Sequence, residues 1–93
     1  MNNDLMRVHS DCDIGSLSYG SSTLLFPHPL SFYMGDEFYV DYIAPHFFHK
    51  EEDEDGNEIE LVDQLEVCLL IKRNGSKKFR KKFIYAKPVT ESS

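Results

Sequence analysis

The sequence predicts an all-β domain, or a β-rich α+β one: a small sandwich or half-barrel of about five mostly antiparallel strands. Three observations carry this expectation. Apolar residues hold the odd positions Ile59, Leu61, Leu65, Val67, Leu69 and Ile71, with polar Glu58, Glu60, Gln64 and Glu66 at even ones, the period of a strand with one buried face. Turn signals punctuate the chain at Met34-Gly35-Asp36, Asp55-Gly56 and Asn74-Gly75. Seven Phe and five Tyr, with no Trp, leave β-favouring aromatics to supply the bulk of the core. At 93 residues and 41% apolar, the chain makes one domain, 1–93, with a single modest core.

In chain order, Leu5 to His9 reads as a short strand. Ser10 to Ser22 is rich in Ser, Gly and Asp and reads as loop. Ser22 to Phe26 reads as a strand stopped by Pro27-His28-Pro29, because each proline removes a backbone donor. After the turn at Met34-Gly35-Asp36, Glu37 to Ile43 alternates, with Phe38, Val40 and Tyr42 on the apolar side. Pro45 is expected to end that strand. His46-Phe47-Phe48-His49 starts another, which enters the acidic loop 51–57.

Ile59 to Ile71 places apolar residues at odd positions, with Asp63 the exception. Leu61, Leu65 and Cys68 also sit at helical spacing, so a helix competes for 58–68, with strand preferred from Leu65 onward. A C-terminal hairpin follows at 65–85. A two-residue Asn74-Gly75 loop would set Leu69 opposite Arg80 and Val67 opposite Lys82. A three-residue loop, Arg73-Asn74-Gly75, sets Leu69 opposite Phe79 and Leu65 opposite Phe83, with Asp63 opposite Tyr85. The second register keeps more apolar side chains on one face and is the one expected. It sends Lys78, Arg80 and Lys82 together to the other face. Residues 87–93 read as a flexible tail.

The charges are sorted along the chain. Residues 1–71 hold fifteen carboxylates against Arg7 and Lys50, a balance of −13, while residues 72–93 hold eight basic groups against Glu91, a balance of +7. Fields of opposite sign at two places bias what a small protein meets. The acidic set expected to face a partner is Glu51, Glu52, Asp53, Glu54 and Asp55, with Asp36, Glu37 and Asp41. The basic set is Lys72, Arg73, Lys78, Arg80 and Lys82, which would track phosphates if the chain bound nucleic acid.

Chemistry-bearing motifs are weak. Glu51, Asp53, Asp55 and Gly56 imitate the start of a calcium loop, but Glu58 takes the hydrophobic eighth position and Val62 the twelfth, where a bidentate Glu belongs. His46 and His49 near Glu51 and Asp53 lack the second ligand pair of a zinc site. Cys12 lies between Asp11 and Asp13, which raise a thiol pKa rather than activate it. Cys68 shares the face assigned to Arg80 but lies in the most apolar strand. The five glycines are scattered, with no phosphate cradle. The expectation is a non-enzymatic protein with no catalytic residue, metal or cofactor.

No secretory leader is read at Met1-Asn2-Asn3-Asp4, and the longest apolar run, Val67 to Ile71, is far below the roughly 20 residues that span a bilayer. Free thiols and a cytoplasmic setting are therefore expected (a host's cytoplasm, were the chain viral). Small acidic domains without catalytic signatures commonly serve as accessory or inhibitory factors, including those of viruses and phages. The leading expectation is thus an interaction protein that binds a protein partner by electrostatic and edge-strand contacts. A nucleic-acid-binding β module and a self-associating scaffold or homodimer are the alternatives.

Overall fold

In the computed structural model, which describes residues 4–90, every regular element is a strand: β1 Met6–Arg7, β2 Cys12–Tyr19, β3 Ser22–Phe32, β4 Glu37–Glu52, β5 Glu58–Lys72 and β6 Arg80–Thr90. They form one antiparallel sheet in the order β1-β4-β5-β6-β3-β2, curled into a half-barrel. Residues 58–68 are strand, so the helical alternative falls. The core lines the inside of the curl. Leu24, Phe32, Val67, Leu69 and Ala86 are essentially inaccessible, and Val8, Phe26, Phe38, Leu65, Ile71 and Ile84 are buried beside them. Phe32 stacks on Phe38 at 4.5 Å, joining β3 to β4 across the concavity.

Three strand boundaries differ from the sequence reading, each for a backbone reason. The Ser/Gly/Asp stretch after Ser10 is β2, not loop. It is the outermost strand, so it needs only Ile14 and Leu17 facing inward, too few to show alternation. A two-residue turn, Gly20-Ser21, joins it to β3, with Tyr19 paired to Ser22 and Gly20 at φ +62°, the left-handed geometry such hairpins require.

Pro27 and Pro29 do not stop β3. The β2–β3 register jumps from Ile14↔Leu30 to Ser16↔Leu25, so residues 26–29 bulge out of the ladder and the prolines lose no bond there. Pro45 does not end β4. From Tyr39 onward β4 is an edge strand, because β1 covers only Glu37 and Phe38, and edges tolerate proline.

Two turns are locked together by Asp36. Its side chain is 1% exposed. It accepts from the Tyr33 amide at 2.9 Å, the Asn74 amide at 2.8 Å and the Arg73 guanidinium at 2.8 Å. Its own carbonyl accepts from the Val8 amide. Burial alone would raise this carboxyl, but the Tyr33 and Asn74 amides and Arg73 more than offset it and hold it below 3.8. Gly35 lies at φ +93° directly under the Asn74 side chain.

Candidate interaction surfaces

The hairpin β5–β6 pairs Leu69↔Lys82, Val67↔Ile84 and Leu65↔Ala86. The expected three-residue loop is wrong: seven residues, 73–79, separate the strands. The observed register inverts the expected faces of β6. Ile84 and Ala86 point into the core, while Phe83 (46% exposed) and Tyr85 (39%) stand on the convex outer face. Arg80 and Lys82 lie on the inner side, opposite Ile71 and Leu69. Both remain exposed, and Lys82 borders a groove of about 210 Å³ that Pro27, Pro29, Phe83, Ile84 and Tyr85 also line.

The basic set is therefore dispersed. Lys72 pairs with Glu37 at 3.4 Å, and Arg73 is committed to Asp36 and to the Ser31 carbonyl. Lys78 sits in the loop, with its amide 3.4 Å from the Ser76 hydroxyl. Residues 87–90, read as tail, instead pair with Ser22 to Leu25 of β3; residues 91–93 lie outside the described ones.

A bulge in β4 between Val40 and Tyr42 has a second consequence. It keeps Val40 and Ile43 packed against the core and turns Tyr42, expected inward, to the outer face opposite Cys68. Tyr42 donates its hydroxyl to Glu66 at 2.6 Å. This bond to the carboxylate, helped by desolvation, pushes the phenol up to about 12. Cys68 is buried, not poised beside Arg80, and burial raises its thiol pKa, with Asp41 adding to the rise. Both cysteines are free thiols, Cys12 exposed and Cys68 buried.

The outer face thus carries Tyr39, Tyr42, Phe79, Phe83 and Tyr85 around Leu70. Phe79 lies edge-on to Tyr39 at 5.4 Å and under Lys72 at 5.9 Å. Tyr85 lies against His46 at 4.4 Å.

The acidic pole occupies a different kind of surface. β5 has a second neighbour only from Leu65 to Ile71. Toward the other end it pairs with β4 alone, Phe47↔Gln64 through Glu52↔Glu58. Residues 46–64 are therefore a two-stranded arm projecting from the sheet by about 23 Å, seven residues at strand rise. Every residue of it except Asp53 and Gln64 is exposed, including Phe47 (59%), Phe48 (53%), Ile59, Leu61 and Val62.

Glu51, Glu52, Glu54 and Asp55 stand at its tip. Asp53 is half-buried and accepts from the Asp55 and Asn57 amides, closing the turn in which Gly56 takes φ +82°. His49 is bracketed by Asp63 at 2.7 Å and Glu51 at 3.0 Å. These two carboxylates raise its pKa above 6.5.

Of the other acidic residues expected to face a partner, Asp36 is ruled out by its burial. Glu37 is half-buried and held by Lys72 and Arg7. Asp41 is half-buried at the bulge. Only the five consecutive acids 51–55 share one projecting place.

The tip and the basic loop 73–79 lie at opposite ends of β5, about 50 Å apart for fifteen residues, in a molecule 56 Å long. They cannot neutralise each other within one chain.

The sequence reading missed the arm and the aromatic face. Among the described residues no helix is long and apolar enough to cross a membrane. Comparison with protein-family models, with curated proteins and with solved structures finds no match to this chain.

Proposed function

We propose that the chain is a non-enzymatic binding protein that engages a protein partner through the arm formed by residues 46–64, acting as an accessory or inhibitory factor. The observation that carries this reading is the arm itself. A two-stranded ribbon is marginally stable alone in water, yet this one projects clear of the sheet with exposed Phe47, Phe48, Ile59, Leu61 and Val62. Among the described residues no strand pairs with either of its edges, which suits strand addition by a partner. Its acidic tip favours a basic partner surface by steering and by rejecting acidic ones, while the apolar side chains behind the tip supply burial.

The test is affinity capture from the native source with mass spectrometry of what co-purifies, comparing the parent chain with E52K/E54K/D55K and with F48S. None of these side chains contributes to the core. Loss of the same partner in both variants is expected; undiminished capture in both overturns the proposal.

A second reading, head-to-tail self-association, is favoured by the separation of the poles at opposite ends of β5. Contacts of this kind are heterologous and build rings or open chains rather than closed dimers. It requires a mass that rises with concentration at low salt and falls in E52K/E54K/D55K.

A further inference from the structure

We infer that the convex face of β4, β5 and β6 binds single-stranded nucleic acid, with Phe79, Phe83 and Tyr85 stacking on bases and Lys81 and Lys87 meeting the phosphates. This site meets the arm only at its root, where Tyr85 lies against His46, is distant from the acidic tip, and does not depend on the reading above. It rests on register. Odd-numbered residues of β6 face outward, so Lys81, Phe83, Tyr85 and Lys87 alternate along one exposed line. Phe79 precedes them and packs on Tyr39. Phe83 and Tyr85 are about 7 Å apart, two residues along a strand, a spacing that offers successive platforms to an extended chain of bases. Aromatic platforms beside basic groups are the common solution for single strands without sequence preference.

The pattern of charge decides between occupants. A face buried by another protein is depleted of lysine at its centre, yet Lys81 stands between Phe79 and Phe83. Lys77 and Lys78 flank the same end of the patch from the exposed loop. Of the carboxylates of the face, Glu37 is paired with Lys72, and Glu66 accepts the Tyr42 hydroxyl while keeping its charge. Asp41, beside the bulge, is the other uncompensated acid, so Glu66 and Asp41 stand against Lys81, Lys87, Lys77 and Lys78. The chain's excess negative charge is concentrated at the arm tip, several Debye lengths from the loop at physiological salt. A net charge of −6 therefore does not describe the potential at this face.

The test is fluorescence anisotropy of a labelled oligothymidylate of about twelve nucleotides, titrated with the full chain at low and at moderate salt. Binding that weakens as salt rises is expected. F79A and F83A should each weaken it by about five- to a hundredfold, and K81E should weaken it further as salt is lowered. E52K/E54K/D55K should leave it no weaker. Thermal melts of the variants report whether the sheet is intact; K81E removes no core contact and keeps the test open if an aromatic variant unfolds. No anisotropy change at low salt overturns the inference, as does F83A binding as tightly as the parent. Self-association that disappears in F79A and F83A, without nucleic-acid binding, would assign the face to a second copy instead and overturn it as well.

Discussion

Replacing Asp36 by alanine removes a buried carboxylate that ties the β3–β4 turn to the β5–β6 turn. The carboxylate is 1% exposed and satisfies two backbone amides and Arg73. In D36A the Tyr33 and Asn74 amides lose their acceptor and Arg73 loses its partner. An unsatisfied buried donor costs about 1–3 kcal/mol, less here because Tyr33 and Asn74 are exposed residues whose amides regain water, and breaking a fully buried pair costs about 3–5 kcal/mol. Arg73 is 46% exposed and regains water, which places the loss near the lower bound, about 3 kcal/mol.

That is a large share of the roughly 5–15 kcal/mol a domain holds, and it corresponds to a Tm lower by about 15 °C. Urea unfolding followed by far-UV circular dichroism should show a lower midpoint at unchanged slope. The pH dependence has a definite sign. Because the folded carboxyl titrates below 3.8, its contribution is fully present above the unfolded value and is lost as pH falls through the folded one. D36A should therefore flatten the acid limb of the stability profile. A loss under about 1 kcal/mol, the worth of a surface ion pair, would refute the view that Asp36 fastens the two turns.

The G35A variant should lose at least about 1 kcal/mol in the same assay, since a Cβ would come within 2.6 Å of Asn74 on a backbone at φ +93°. His49 should titrate above 6.5 by NMR, and D63N should lower its midpoint. Its raised pKa means that protonation stabilises the arm below the unfolded value, with the effect lost as pH rises through the folded one. Amide protection in 46–64, taken relative to the intrinsic exchange rate at each pH, should accordingly fall on the alkaline side, and less so in D63N. Cys12 should react with a thiol reagent in the native protein, whereas Cys68, fully buried with a raised pKa, should react only on unfolding. Equal rates for the two would contradict its placement beneath the outer face.

The inward face of β5 was legible because apolar residues hold every odd position from Leu65 to Ile71. The Met34-Gly35-Asp36 turn was legible from its glycine. The partner register was not. Matching apolar residues across a short loop assumed that Phe79 and Phe83 seek the core, whereas the curled sheet fills its interior with Ile84 and Ala86 and leaves those rings outside. A single-residue bulge at Asp41 then reversed Tyr42, an event that no alternation pattern announces. β2 escaped notice because an outer strand needs few apolar residues, and the two prolines misled because a bulge makes their missing donors harmless. Among the acids, Glu51, Glu52, Glu54 and Asp55 are exposed together while Asp53 is half-buried, whereas Asp36 carries no local sign of burial: Arg73 and Asn74, two of its partners, come from nearly forty residues away.

The most direct measurement replaces Phe48–Val62 with Asn-Gly, shortening the arm to its root while leaving the pairing of β4, β5 and β6 below it intact. The shortened chain should keep its far-UV spectrum and melt within a few degrees of the parent, because the removed residues contribute nothing to the core, and it should no longer capture the protein partner. A shortened chain that unfolds would mean the arm is part of the fold; one that folds and still captures the partner would remove the arm from the binding surface.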